Sequence, residues 1–135
     1  MYASKSLAVV LLMMTGIAGV AEAAPLAEFV CSGQVRFGEE TIKDKLVLRL
    51  DGDAMEIKGM PGTLSTFDGT AYKICSESRD EIMFGYPSAV ECGGHKVTRS
   101  GGLQKVTGDM KIQRLDMGKP FTGSYKCQSA NRLVD

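Results

Sequence analysis

The sequence has few of the side chains from which catalytic sites are built. Its 135 residues include one histidine, His95, which follows a glycine pair. Catalysis by a cysteine–histidine pair would require a free thiolate, and a serine such as Ser100 would require an oriented base and an oxyanion-binding loop. The sequence offers neither arrangement. We therefore interpret His95 as a loop residue and predict no catalytic residue and no enzymatic activity.

The sequence also lacks net charge, because 16 basic residues balance 16 acidic ones. A neutral chain gives no general reason to expect nucleic acid as a partner. The charges are nevertheless uneven, with 7 basic and 11 acidic residues over positions 24–90, and 8 basic and 4 acidic residues over positions 91–135. Two interpretations remain open: a dipolar solvated surface, or a basic face for an anionic partner.

No apolar run reaches the ~20 residues of a membrane-spanning helix. The longest run covers residues 7–20; it follows Lys5 and precedes the small residues Ala21 and Ala23. This three-part layout is typical of a secretory signal peptide, and a membrane anchor is the alternative. We expect a cleaved signal peptide at residues 1–23, a single domain at residues 24–135 with no membrane span, and a periplasmic or secreted location.

Helical periodicity is absent after residue 25, and apolar residues alternate with polar ones between glycine-rich turns instead. The alternating apolar positions are Phe29, Cys31, Val35 and Phe37; Leu46, Leu48 and Leu50; Met55 and Ile57; Tyr72 and Ile74; Ile82, Phe84 and Tyr86; Met110 and Ile112; and Phe121, Tyr125 and Cys127. Between residues 88 and 102 the pattern is least regular, with a short strand expected near residues 96–98, bracketed by two glycine pairs; residues 103–106 then run into a turn at residues 107–108. Leu115 falls out of phase, at a bulge or at a strand's end. Turns about ten residues apart predict an all-β domain, a small antiparallel meander of about seven or eight strands that forms a barrel or a sandwich.

All four cysteines lie in the predicted domain, and an even count in a short exported chain predicts two disulfides. Setting the first and last strands antiparallel with Cys31 opposite Cys127 places each of their glycines against a bulky residue. The register that follows pairs Gly33 with Tyr125, Val35 with Gly123, and Phe37 with Phe121. Of three possible pairings we therefore predict Cys31–Cys127 and Cys75–Cys92.

Clustered metal ligands are missing as well. The cysteines are separated by 44, 17 and 35 residues, whereas zinc ligands usually occur at short spacing. The run Asp51-Gly52-Asp53 superficially suggests calcium, but the spaced carboxylates and the glutamate of a calcium loop do not follow, and a hairpin turn explains the run. The acidic pairs at residues 39–40 and 80–81 lie in predicted turns, which favours solvated charges over the facing carboxyl groups of a glycosidase. We predict no metal site and no cofactor.

Two groups of residues are candidates for contact with a partner. Phe84 and Tyr86 lie beside a proline turn, where aromatic side chains can protrude, although they can equally cover the core. Lys105, Lys111 and Arg114 belong to a basic set on the late strands, where several members should point to solvent. The rest of that set is Lys96, Arg99 and Lys126. No phosphate-binding loop or stacking aromatic accompanies them, so nucleic acid is not the expected partner.

The plan as a whole resembles that of the periplasmic lysozyme inhibitors: a signal peptide, a small antiparallel barrel, a cysteine in the first strand and Tyr125-Lys126-Cys127 near the end. Ser100 and Gly101 match the Ser-Gly of that family's inhibitory loop, but no tyrosine follows closely, and the family's tryptophans are absent. The resemblance carries over no functional residue, and it implies inhibition as one form of a binding function.

These patterns predict a small exported binding module of the bacterial envelope, inhibitor-like in one form, whose partner is an unidentified protein or an anionic surface. The first alternative is a structural or stress-protective envelope protein without a discrete site. The last alternative is a small hydrolase.

Overall fold

The computed structural model describes residues 27–88, 92 and 96–130. Within them the chain forms eight strands: β1 (Ala27–Phe37), β2 (Glu40–Asp51), β3 (Ala54–Gly59), β4 (Gly69–Glu77), β5 (Glu81–Tyr86), β6 (Arg99–Gln104), β7 (Asp109–Arg114) and β8 (Phe121–Ser129). Each strand pairs antiparallel with the next, and β1 also pairs with β8, so the sheet closes into a barrel. The predicted all-β meander is confirmed, and the sandwich alternative is wrong.

Two of the sequence predictions fall outside the described residues. These are the signal peptide at residues 1–23 and the loop position of His95. In the part of the chain that the structure describes, no helix is long and apolar enough to cross a membrane.

The barrel interior is filled by the inward half of each alternating strand. In β2, Leu46 and Leu48 are buried while Lys45 and Arg49 are exposed, the pattern of a strand with one face on a core. The other buried apolar side chains come from the remaining seven strands and from one connection, and they are Cys31, Val35, Met55, Ile57, Phe67, Tyr72, Ile82, Phe84, Leu103, Met110, Ile112, Tyr125 and Cys127. Because an eight-stranded barrel is just wide enough for side chains to fill it, these residues form one packed core.

Closure of the barrel depends on the close approach of β1 and β8. The predicted register is confirmed at every position, including Gly33 opposite Tyr125. The predicted Cys31–Cys127 disulfide spans this pair of strands, with Cα atoms 4.0 Å apart. A Cβ atom at position 33 would overlap the backbone oxygen of Ser124 in β8. Only glycine therefore permits the two backbones to approach this closely.

The second predicted disulfide, Cys75–Cys92, is also present, with Cα atoms 5.6 Å apart. Cys75 lies in β4, and Cys92 lies in the connection between β5 and β6. The bridge therefore fastens that connection to β4. Cys75 is exposed, whereas Cys31 is fully buried.

The region around β6 differs from the prediction. Residues 96–98 are not a strand, and β6 runs through both glycines of the pair Gly101-Gly102. A Cβ atom at these glycines would lie 2.6 Å from Phe84 and 2.9 Å from Met83, the two β5 side chains that cover them. The glycines therefore make room for side chains of the neighbouring strand, and they do not form a turn. Leu115 lies one residue beyond β7, so the strand's end explains its phase.

One end of the barrel, where β1, β3, β5 and β7 end, is named the mouth. The connection between β3 and β4, residues 60–68, closes it and is named the plug. Phe67 of the plug is 1% exposed and belongs to the core. The backbone N–H of Met60 donates to the backbone oxygen of Lys45 (3.2 Å), which ties the plug to β2. Inward side chains near this end therefore meet the backbone of the plug.

Candidate functional site

Asp44 of β2 is the first of three charged side chains that hold the plug. It is in phase with Leu46 and therefore points inward, where it is 3% exposed. Its carboxylate accepts hydrogen bonds from the backbone N–H of Leu64 (3.1 Å) and from the hydroxyl of Tyr125 (2.7 Å). Because a buried charge without such donors is strongly destabilising, Asp44 and the plug stabilise each other.

Arg114 of β7 is the second. It is one of the candidate partner-binding residues, but it is in phase with the buried Ile112 and therefore is not one of the set's members that point to solvent. Its Nη1 donates to the backbone oxygen of Thr66 in the plug (2.8 Å), and its Nε donates to the carboxylate of Asp116 (2.6 Å). Arg114 therefore fastens the plug to β7.

Arg99 of β6 is the third, and it is the cross-strand neighbour of Arg114. Although it belonged to the predicted basic set, it is only 7% exposed. Its Nη1 donates to the backbone oxygen of Asp68 (2.5 Å) and to the hydroxyl of Tyr72 (3.2 Å). Two guanidinium groups thus bind the plug through neutral backbone oxygens.

The aromatic candidates lie around Arg99 and do not form a protruding surface. Phe84 is 2% exposed inside the core, which matches the alternative that it covers the core; contact with a partner stays a prediction. Tyr86 is half-buried, and its ring covers the guanidinium of Arg99 with 4.3 Å between Cζ and the ring centroid. Both rings also pack on Tyr72, at centroid distances of 5.9 and 5.0 Å. The aromatic cluster therefore positions Arg99.

Burial changes the proton affinity of two tyrosines near the mouth. Desolvation raises the pKa of Tyr72 to about 12, although the hydrogen bond from Arg99 acts in the opposite direction. Desolvation, reinforced by the hydrogen bond to Asp44, also raises the pKa of Tyr125. Both hydroxyl groups therefore stay protonated at neutral pH and act as hydrogen-bond donors.

The predicted lysines do not converge with Arg114. Lys105 lies near the opposite end of the barrel, where its Nζ donates to the carboxylate of Glu77 (2.7 Å) and to the backbone oxygen of Ser78 (2.8 Å). Lys111 is exposed on the outer surface of β7. The three residues are thus spread along the barrel, and only Lys111 combines exposure with the absence of a salt bridge among the described residues.

Lys111 belongs instead to a larger exposed surface, named the basic face, on the outside of β7, β8, β1 and β2. It consists of the outward positions Asp109, Lys111, Gln113, Thr122, Ser124, Lys126, Ser32, Gln34, Arg36, Thr41, Lys43 and Lys45, all of them exposed. One row across the four strands reads Lys111, Ser124, Gln34 and Lys43. Five of the twelve side chains are basic and one, Asp109, is acidic.

The charges of the basic face are largely uncompensated. The Nζ of Lys126 lies 3.0 Å from the Oδ1 of Asp109, and its hydrogen bond is the largest cause of the lowered pKa of that carboxyl group. Arg36, Lys43 and Lys45 form no salt bridge within the described residues. Between them lies a shallow depression of about 300 Å³ lined by hydroxyl, amide and guanidinium groups: Gln34, Arg36, Thr41, Thr122 and Ser124.

The sequence prediction missed Arg36, Lys43 and Lys45 because they lie in the acidic half of the chain. Two signals could have found them. Pairing of Cys31 with Cys127 places β1 beside β8 and therefore beside the late basic residues. Strict alternation in β2 then points Lys43 and Lys45 outward and Asp44 inward, so the acid between them does not reach this surface.

No family model matches this chain, and no curated protein or solved structure matches it. The described residues combine a plug, fastened by two arginines, that closes the mouth of the barrel with a basic face on the outside of the adjoining strands.

Proposed function

We propose that this protein is an exported binding module that recognises an acidic protein partner through the basic face. The observation that carries the proposal is the placement of Arg36, Lys43, Lys45, Lys111 and Lys126 on one exposed surface with a single acidic residue. Such a concentration of one sign of charge attracts an oppositely charged partner and speeds its association. Two disulfides and the predicted signal peptide support export to an oxidising compartment.

The size of the basic face favours a contact that extends onto the mouth. Four strands of about five residues cover roughly 15–20 Å in each direction, an area on the order of 300 Å². This is less than the ~800 Å² that each partner usually contributes to a stable complex. The connection between β7 and β8 adjoins the face and exposes two apolar side chains, Leu115 (51% exposed) and Met117 (49% exposed). Apolar anchors beside a charged surface are common in protein interfaces.

Charge reversal on the basic face tests this proposal. Lys43→Glu combined with Lys111→Glu places two carboxylates in the central row, whereas Lys58→Glu combined with Arg79→Glu makes the same change of charge at exposed positions outside the face. Oxidised wild-type protein and both variants would be immobilised, exposed to an envelope extract, and washed at low and at moderate salt. Bound proteins would be identified, purified and titrated individually.

We expect one acidic partner that binds wild type and control equally, binds the Lys43/Lys111 variant at least about tenfold more weakly, and is released by added salt. Circular dichroism would establish that all three proteins are folded. Equal binding by both variants, or a partner insensitive to salt, would show that the basic face is not the recognition surface.

A further inference from the structure

Arg99 is a buried cation that has no carboxylate partner among the described residues. It is 7% exposed, and its two hydrogen bonds go to the backbone oxygen of Asp68 and to the hydroxyl of Tyr72. Both acceptors are neutral. Because removing a charge from water is costly unless an opposite charge compensates for it, a buried arginine in this state is normally paired. The positive charge of Arg99 is therefore not paired with a negative charge among the described residues.

The unused donors of Arg99 are those of one edge of its guanidinium group. Among the described residues, its Nε is the one buried side-chain nitrogen or oxygen without a hydrogen-bond partner. Nη2 donates no hydrogen bond to a described residue either and, unlike Nε, it is not fully buried. Nε–H and one Nη2–H point in the same direction. This pair of donors matches the two oxygens of a carboxylate or of a phosphate-type group.

The guanidinium group is also fixed in place. The ring of Tyr86 covers one of its faces at 4.3 Å, and Tyr72 accepts from Nη1. A Cβ atom at Gly69 would lie 3.2 Å from Nη1, so the glycine backbone packs directly on the arginine. A donor pair held in this way binds an anion without losing side-chain freedom.

A second cation lies beside Arg99. Arg114 is its partner in the register between β6 and β7, and Asp116 is paired with Arg114 through Nε. The described side chains at this side of the mouth thus bring two guanidinium groups together with the carboxylates of Asp116 and of Asp68, which accepts from the backbone N–H of Gly59. Neither carboxylate forms a salt bridge with Arg99, so the charge of Arg114 adds to the attraction for an anion there.

We propose that the mouth of the barrel binds a small oxyanion, a carboxylate or a phosphate-type group, on the Nε–Nη2 edge of Arg99. The anion enters from the solvent side of Nη2 and accepts one hydrogen bond from each nitrogen, while Arg114 contributes charge. This site lies at the end of the barrel and is separate from the basic face, so it does not depend on the proposed function.

Nuclear magnetic resonance of the arginine side chains tests the proposal directly. In ¹⁵N-labelled protein the Nε–H signal of Arg99 would be identified by its loss in Arg99→Lys, which keeps the charge but removes the paired donors. Acetate and inorganic phosphate would be titrated separately at constant ionic strength, with chloride making up the difference. We expect the Arg99 signal to move saturably with at least one of the two oxyanions. The exposed Arg79 provides the matched control signal and should not move.

A second measurement covers the effect of the variant itself. The oxyanion that saturates the Arg99 signal should raise the melting temperature of wild type and of Arg79→Lys. For Arg99→Lys the rise in melting temperature should be about one tenth as large. An Arg99 Nε–H signal that stays unchanged in both titrations would overturn the proposal and leave a buried water as the partner. Saturation seen only after Glu91→Gln, which removes the one carboxylate between β5 and β6, would overturn it too, because the chain would then supply its own anion.

Discussion

Tyr72 shows at the residue scale how a single side chain joins the core of the barrel to its mouth. Its hydroxyl donates to the backbone oxygen of Phe67 (2.6 Å) and accepts a hydrogen bond from Arg99 (3.2 Å). The side chain is 1% exposed. Loss of the phenolic proton would remove the donor to the plug and place a second charge in the core. Ionisation is therefore disfavoured in the folded protein but not in the unfolded chain.

We expect the free energy of unfolding to fall as the pH rises from 10 to 12. The pKa of Tyr72 is about 12 in the folded state and 10.0 without the fold, so the unfolded chain loses this proton first in that interval. The raised pKa thus contributes stability that is fully present below pH 10 and is lost as the pH approaches 12. A difference of this size corresponds to on the order of 2–3 kcal/mol. Urea unfolding at a series of alkaline pH values measures the slope.

Tyr72→Phe is the variant that isolates the effect. It should lower stability at neutral pH by about 1 kcal/mol, through the lost hydrogen bonds, and it should make the alkaline loss smaller. Tyr86→Phe, which keeps the ring over Arg99, is the matched control. An identical slope in wild type and Tyr72→Phe would show that another group controls alkaline unfolding.

The inward charged residues were not predicted, although their phase along the strands was visible. Asp44 shares the even positions of Leu46 and Leu48, and Arg114 shares those of Met110 and Ile112. Because a charged residue at a strand's end normally lies in solvent, the phase of these residues did not by itself predict that they point inward. What makes burial tolerable is the plug, whose backbone supplies the hydrogen-bond partners. The backbone groups that these residues bind lie 20 residues from Asp44 and 48 residues from Arg114 along the chain.

At the scale of elements, the two disulfides differ in what they connect. Cys31–Cys127 joins the first strand to the last and closes a segment with a sequence separation of 96, whereas Cys75–Cys92 has a separation of 17. Constraint of the unfolded chain grows slowly with the length enclosed, from about 3 kcal/mol for a 15-residue loop to about 4.7 kcal/mol for a 100-residue loop in the entropic account. The longer bridge should therefore stabilise the barrel more.

We expect a mild reductant to open Cys75–Cys92 before Cys31–Cys127. A thiolate must reach one of the sulfur atoms, and Cys75 is exposed while Cys31 and Cys127 are 0% and 6% exposed. Alkylation at increasing reductant concentration, followed by peptide mass spectrometry, gives the order. Urea unfolding should in turn show a larger loss of stability for Cys31→Ser/Cys127→Ser than for Cys75→Ser/Cys92→Ser. Earlier alkylation of Cys31 would indicate that β1 and β8 separate readily.

The strands themselves could be predicted wherever their own side chains alternate. β1 and β8 carried enough information to give both the register and a disulfide, because the alignment that sets Cys31 opposite Cys127 also gives each glycine a bulky partner. β6 was misplaced because its glycines resemble a turn in the local sequence. The glycines make room for Phe84 and Met83, which lie on another strand, so the sequence of β6 alone does not reveal why they are there.

At the scale of the whole molecule, closure decides which charges share a surface. The early half of the chain is acidic and the late half is basic, yet the basic face draws on both halves because β1 and β2 lie beside β8 and β7. Counting charges along the chain could not reveal this surface. Closure also brings the two ends of the domain together, since Phe29 is the register partner of Ser129.

This proximity allows the chain to be reordered, and reordering can separate the role of closure from that of the plug. Joining residue 135 directly to residue 24 retains every residue of the predicted domain, and the segments beyond β1 and β8 provide the linker. New ends placed between Gly38 and Glu39 interrupt an exposed two-residue turn. New ends placed between Gly62 and Thr63 interrupt the plug instead, on the chain segment that carries Phe67 into the core.

We expect the first permutant to keep both disulfides and nearly the melting temperature of wild type, because every pair of strands is still present. The second should melt at a distinctly lower temperature, since cutting the plug frees the backbone groups that Asp44 and Arg114 bind and leaves each of these charges with only one partner, Tyr125 or Asp116. Calorimetry of the oxidised proteins compares the two. If both permutants melt together near wild type, the closed sheet alone stabilises the barrel and the plug is dispensable. If both melt low, the hairpin between β1 and β2 is as essential to closure as the plug is to the mouth.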